Sequence, residues 1–176
     1  MAKSNTDYDF VLIGAGAAGF AAAIRAREAG ARVAMIEAAR AGGTCVNIGG
    51  VPSKTLLRAL EVQYKSMHRR FAGIKTFVDT PDLSALIKQK NELVEAFRLE
   101  KYERLVHLYG WDLLYGVGRF IDNDTVMVNG EKIRAQFYLI ATGASPSTPL
   151  LGGSLNPDTS PRLLHWTQKS FHHVWS

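Results

Sequence analysis

Two stretches of this chain carry residue types and spacings able to do chemistry. The first is Gly14-Ala15-Gly16-Ala17-Ala18-Gly19, with Glu37 further along. A G-x-G-x-x-G run between a strand and a helix receives the pyrophosphate of a dinucleotide, and an acid about 20 residues on accepts the ribose hydroxyls. Gly14 serves the tight turn, Gly16 lets a pyrophosphate approach the backbone, and Gly19 lets helix and strand pack closely. Ala17 lies in the same loop, ahead of a helix whose free N–H groups and partial positive charge favour phosphate. The second stretch is Gly42-Gly43-Thr44-Cys45-Val46-Asn47-Ile48-Gly49-Gly50-Val51-Pro52-Ser53-Lys54. It sets a thiol in a glycine-rich turn and a lysine shortly after it. A thiol of lowered pKa at a helix start is a nucleophile or a ligand for a soft metal ion. Cys45 is the only cysteine in the sequence, so no intramolecular disulfide can form, and one thiol is a poor site for catalysis or chelation.

The elements that must hold these groups follow from apolar periodicity. Tyr8 to Ile13 is a short, β-prone apolar run; Phe20 to Ala29 is an alanine-rich helix closed by Gly30; Arg32 to Ile36 is a second apolar strand ending at Glu37. Together they predict a β-α-β unit, and hence an α/β fold with a parallel sheet. The unit alone leaves open whether the dinucleotide is FAD or NAD. Ser53 after Pro52 predicts a helix from Ser53 to Arg70, with Ser53 as N-cap and Lys54 in its first turn. Thr80-Pro81-Asp82 predicts another, capped by Thr80 with Pro81 at the first helical position. Its apolar positions, from Leu83 and Leu86 through Val94 and Phe97 to Val106 and Tyr109, fall broadly on one face. This is a packing helix rather than a binding surface. From Trp111 the period changes to strands: Asp112 to Val117, then Thr125 to Val128 and Lys132 to Arg134 around an Asn129-Gly130 hairpin turn, then a buried Phe137 to Ala141.

The cysteine turn resembles the redox-active disulfide motif of the flavin-dependent pyridine nucleotide–disulfide oxidoreductases, a family that includes glutathione reductase, dihydrolipoamide dehydrogenase and mercuric reductase. The resemblance covers about residues 7 to 149. It implies an FAD/NAD(P)-binding Rossmann-like domain with an antiparallel β-meander, incomplete here, and it decides the cofactor as FAD. It assigns Gly43 and Thr44 to the flavin-binding turn and Lys54 to the flavin ring near N5. Gly118, in Gly116-Val117-Gly118-Arg119-Phe120, resembles the segment whose backbone meets the adenine, and Thr142-Gly143 the turn that closes the flavin domain. In the family NAD(P)H reduces FAD, and the flavin passes two electrons to a cysteine pair. Cys45 matches the first, interchange cysteine. The second, flavin-side position is held by Gly50, so electron transfer to a disulfide is not expected of this chain. Details of the cysteine turn, the Lys101-Tyr102-Glu103 segment and Ala141-Thr142-Gly143-Ala144-Ser145-Pro146 lean toward the mercuric reductase branch, with dihydrolipoamide dehydrogenase next.

Residues 1–150 are therefore expected to form the FAD-binding segment, and 151–176 an irregular tail, out of frame or disordered. The family continues with a second glycine fingerprint for NAD(P)H, a Gly-Asp pair at the ribityl chain, and a dimer-interface domain with a His–Glu pair; none of these is found in this sequence. His165, His172 and His173 are not expected to bind metal, since adjacent histidines point apart on a strand and no thiol or carboxylate accompanies them. The charge is +5 over 176 residues. Its basic residues are scattered among acids, with His68-Arg69-Arg70 the densest group, which argues against nucleic-acid binding. No apolar run reaches the ~18 residues of a membrane span, and a lone cysteine suits a reducing cytoplasm.

Overall fold

The computed structural model describes residues 6–68, 71 and 73–144. The tail, with its three histidines, and Arg69 and Arg70 lie outside the described residues. The first β-α-β unit forms as its pattern dictates: β1 (Tyr8–Ile13), α1 (Ala17–Glu28) and β2 (Val33–Glu37). Strand β1 pairs in parallel with β2, Ile13 against Ile36, and on its other side with the end of β6 (Glu131–Ile140), Ile13 against Ile140. Beyond β2 lies β3 (Asp112–Tyr115), parallel again, with Glu37 opposite Tyr115. The sheet order is β3-β2-β1-β6-β5-β4, where β4 is Arg119–Phe120 and β5 is Thr125–Val128. This is the mixed sheet expected of a Rossmann-like domain with a β-meander, and the unit it belongs to runs to Gly143.

Alternation along the strands builds two cores. Leu12, Val33 and Met35 face α1 and pack with Phe20, Ala23, Val106 and Trp111. Val11, Ala34 and Ile36 face the other way and pack under the meander residues Val126, Val128 and Ile133. Phe20 meets Tyr102 and Trp111 edge-on at 4.7 and 5.5 Å, the geometry aromatic quadrupoles favour.

Several expectations are corrected. The hairpin strand after Gly130 and the apolar strand at Phe137 are one element, β6, antiparallel to β5 in its first half and parallel to β1 in its second. Its second half is not fully buried: Phe137 and Ile140 are 62% and 66% exposed, because β5 leaves β6 at Arg134. Strand β3 ends at Tyr115, two residues short of Val117, where Gly116 turns and donates its N–H to the Glu37 carbonyl at 2.8 Å. Helix α4 (Leu83–Arg98) is capped by Asp82, not Thr80; the Asp82 carboxylate accepts the Ala85 N–H at 3.0 Å. The Asn129-Gly130 turn forms as its residues demand, with both φ positive at 49° and 88°.

The expected single helix through Tyr109 is interrupted. A π-helical turn, Leu99–Glu103, separates α4 from α5 (Arg104–Tyr109). At about 100° per residue, Val94 and Val106 would sit about 120° apart around an unbroken α-helix; one extra residue in a wider turn cuts this to about 20°. Both are in fact buried, Val94 completely. The same turn lets Arg98 reach Glu103, five residues on, at 3.4 Å, while its other arm pairs with Glu95. Deleting Glu100, an exposed residue of this turn, is expected to rotate α5 by about 100° and pull Val106 from the core. Urea unfolding followed by tryptophan fluorescence should show a loss of about 2 kcal/mol or more. An unchanged midpoint would mean the turn does not set the helix phase.

Candidate functional site

The C-terminal ends of β1, β2 and β6 converge on the glycine loop. Gly14 has φ 110° and donates its N–H to the Ile36 carbonyl at 2.8 Å, and a Cβ there would lie 2.3 Å from the Ala141 carbonyl oxygen. Glycine is therefore required twice over, by backbone conformation and by contact. The same contact sets Thr142 against the loop, its Cα 3.0 Å from that Cβ position. A Cβ on Gly19 would sit 2.2 Å from the Gly14 oxygen, which is the close helix–strand approach expected of the third glycine.

Gly16 differs from both. A Cβ there meets nothing nearer than the Gly43 Cα at 3.8 Å, so the space in front of it is open. Gly16 is the N-cap of α1 and no side chain caps that helix, which leaves the first-turn N–H groups, from Ala17 on, without an intrahelical acceptor. Open space, unused donors and the positive end of a helix dipole are what a pyrophosphate needs. Glu37 lies beside this loop. Its Oε2 accepts the Ala15 N–H at 2.7 Å and its Oε1 the Ala39 N–H at 2.8 Å. Gly118 closes the other side of β2; a Cβ on it would press the Ile36 and Val126 side chains at 3.3 Å. The residues present fit a dinucleotide.

The cysteine turn is a short helix, α2 (Gly43–Asn47), where the sequence suggested only a turn. Gly43 packs against Gly16, and Gly42 donates its N–H to the Ala15 carbonyl at 2.8 Å, so α2 is mounted directly on the glycine loop. Thr44 lies in its first turn and its carbonyl accepts the N–H groups of Ile48 and Gly49. Asn47, which sequence reasoning passed over, straps the turn: its Nδ2 donates to the carbonyls of Ala41 at 2.9 Å and Gly43 at 3.1 Å. An amide at the end of a glycine-rich turn was the available signal.

Helix α3 (Gly50–Met67) starts three residues before the expected Ser53 cap. Gly49 is the N-cap, Ser53 donates its N–H to the Gly49 carbonyl at 3.0 Å, and Pro52 sits in the first turn, where its missing donor costs nothing. Lys54 thereby moves to the second turn. It lines a groove of about 560 Å³ between α3 and α4 with Val51, Leu93 and Phe97, and its amine makes no hydrogen bond or ion pair among the described residues. Cys45 is exposed. Burial, reinforced by charge on Cys45, pushes the Tyr102 hydroxyl above its usual pKa. Burial, with Glu103 next, does the same to Tyr115. Among the described residues no group of three or more His, Cys, Asp or Glu side chains is placed to hold a metal ion, and no helix is long and apolar enough to cross a membrane.

Gly50 is the first residue of α3 and has no positive φ. A Cβ built on it lies 2.8 Å from the Cys45 Sγ. For unbonded atoms that is a clash, but across a C–S–S angle about 3 Å is normal.

The fold is that of a Rossmann-like dinucleotide-binding domain, and the family model for pyridine nucleotide-disulphide oxidoreductases matches residues 8–173; the chain belongs to that family. Among its relatives, a mercuric reductase of Staphylococcus aureus is 50% identical over 84% of this chain, and one of Lysinibacillus sphaericus 51% identical over 90%. The HOCl-induced flavoprotein disulfide reductase RclA of Escherichia coli shares the structure with TM-score 0.67 and 33% identity over 84% of this chain. The chain spans 27%, 29% and 31% of these three proteins, a little over a quarter of each.

Replacing Gly50→Cys is expected to give a disulfide with Cys45 on mild oxidation, since the backbone is ordinary and the sulfur is within reach, the Cys45 carbonyl 3.2 Å from the new Cβ giving way by a few tenths of an ångström. Thiol titration should fall from two groups to none. Two free thiols after oxidation would show that the α2–α3 junction does not hold this geometry.

Proposed function

We propose that this chain is the FAD-binding segment of an NAD(P)H-dependent oxidoreductase of the mercuric reductase kind, and that by itself it binds flavin without reducing a disulfide. The observation that carries this is the open space at Gly16, faced by the uncapped start of α1 and flanked by Glu37. The N–H groups of Ala17 and its neighbours hold the pyrophosphate, with Gly43 and Thr44 completing the turn over it. Glu37 accepts the ribose hydroxyls, the backbone at Gly118 meets the adenine, and Thr142-Gly143 closes the site. Lys54, at the α3–α4 groove and without a partner among the described residues, serves the flavin ring near N5. FAD, when bound, supplies two-electron chemistry between a nicotinamide and an acceptor.

Cys45 takes the place of the interchange thiol, open to solvent for attack on a disulfide or a mercuric ion. Gly50 brings no second sulfur, so the thiolate that would stand beside the flavin is missing. The names of the relatives favour mercuric ion over a dihydrolipoamide-type disulfide as the substrate of the whole protein. For the whole protein a homodimer fits the family, whose interface domain is not among these residues, and a reducing cytoplasm fits the single cysteine.

The residues assigned to the cofactor mostly contact its adenosine diphosphate half. FAD is therefore expected to bind no more than about tenfold tighter than ADP, a difference of about 1.4 kcal/mol, and to be lost on extensive dialysis. Calorimetric titration with each ligand and a visible spectrum before and after dialysis measure this. Stoichiometric flavin that survives dialysis, or NADPH-dependent reduction of mercuric ion by the chain, would overturn the proposal.

A further inference from the structure

Glu37 makes more contacts than a ribose acceptor needs. The N–H groups of Gly14 and Ala15 go to consecutive residues at the end of β2: Gly14 to the Ile36 carbonyl at 2.8 Å, Ala15 to the Glu37 carboxylate at 2.7 Å. The Ala15 carbonyl then accepts from Gly42 at 2.8 Å. With residues 14 and 15 committed in this way, the chain turns at Gly16 and the next N–H groups enter α1. The second carboxylate oxygen holds Ala39, on the strap leading to α2, and the Glu37 carbonyl holds Gly116 at 2.8 Å. One residue thus ties the glycine loop, the strap to α2 and the turn after β3. Of these ties only the Ala15 bond fixes the loop through a side chain, and it is a charge-assisted bond, stronger than a neutral one.

We infer that Glu37 is a positioning residue for the pyrophosphate-binding loop, so that phosphate affinity depends on its carboxylate even for ligands that have no ribose hydroxyls. This rests on the reading that the start of α1 receives a dinucleotide pyrophosphate. The inference has a sign opposite to simple electrostatics. A carboxylate near a polyanion repels it, so if Glu37 touched only the ribose, neutralising it would leave pyrophosphate binding unchanged or tighten it. If Glu37 shapes the loop, neutralising it weakens that binding. A glutamine offers one acceptor oxygen and turns an NH₂ toward the other backbone donor, so it cannot hold Ala15 and Ala39 together.

The test titrates inorganic pyrophosphate, ADP and 2′,3′-dideoxy-ADP into the full chain and into Glu37→Gln and Glu37→Asp, with thermal unfolding to confirm that each variant is folded. Aspartate keeps the charge but is one methylene too short to reach Ala15, so it separates reach from charge and remains informative if the glutamine variant fails to fold. Pyrophosphate and dideoxy-ADP are each expected to bind about fivefold or more weaker to both variants, the loss of a hydrogen bond worth about 1 kcal/mol. ADP should lose at least as much. Unchanged or tighter pyrophosphate binding in Glu37→Gln, with only ADP weakened, would overturn the inference and leave the dinucleotide reading standing. Failure of the unaltered chain to bind either pyrophosphate or ADP would overturn both.

Discussion

The fold depends on one missing carbon atom. Strands β2, β1 and β6 run side by side, and at their C-terminal ends the backbone of β6 passes so close to Gly14 that any side chain there would strike the Ala141 carbonyl. Because that contact is possible, β1 can be central, with the strap to α2 on one side and the Thr142-Gly143 turn on the other. Apart from Lys54 on α3 and the Gly43-Thr44 turn of α2, the residues assigned to the cofactor then lie within a few residues of a strand end. A side chain at position 14 would separate β6 from β1 and, with it, the two halves of the site.

The first β-α-β unit was legible in type and order, with α1 starting at Ala17 rather than the expected Phe20, because local and long-range demands agree there. The glycines, the alanine-rich helix and the apolar strands call for the same structure at every level. Where two acceptable local solutions compete, the sequence was silent. Thr80 and Asp82 are both good caps, and only the geometry of Ala85 decides for Asp82. Ser53 after Pro52 has the look of a helix start, yet the chain leaving α2 is already helical at Gly50, and a proline in the first turn does not object. The π-turn was invisible for a different reason: apolar residues on both sides of it keep helical spacing, and the extra residue shows only when both Val94 and Val106 are required to be buried.

The candidate site shows in the sequence by its residue types but not by its wiring. Glycines, Glu37, Cys45 and Lys54 stand out by type and spacing. That Glu37 spends its carboxylate on two backbone N–H groups, or that Asn47 straps the cysteine turn, follows from bonds between residues that no periodicity connects. The glycine at position 50 is plain in the sequence, whereas the structure adds that its backbone is ordinary and its neighbour is the Cys45 sulfur. The position would accept a second sulfur, and glycine supplies none.

Strand β6 belongs to both halves of the sheet, antiparallel at its start and parallel at its end. Ten residues of strand extend about 33 Å, uninterrupted by a loop, from the Asn129-Gly130 hairpin to the threshold of Thr142. Mechanically this is a strut. A displacement at the hairpin tip would be carried along the strand axis to the residues just before Thr142, with no loop on the way to absorb it.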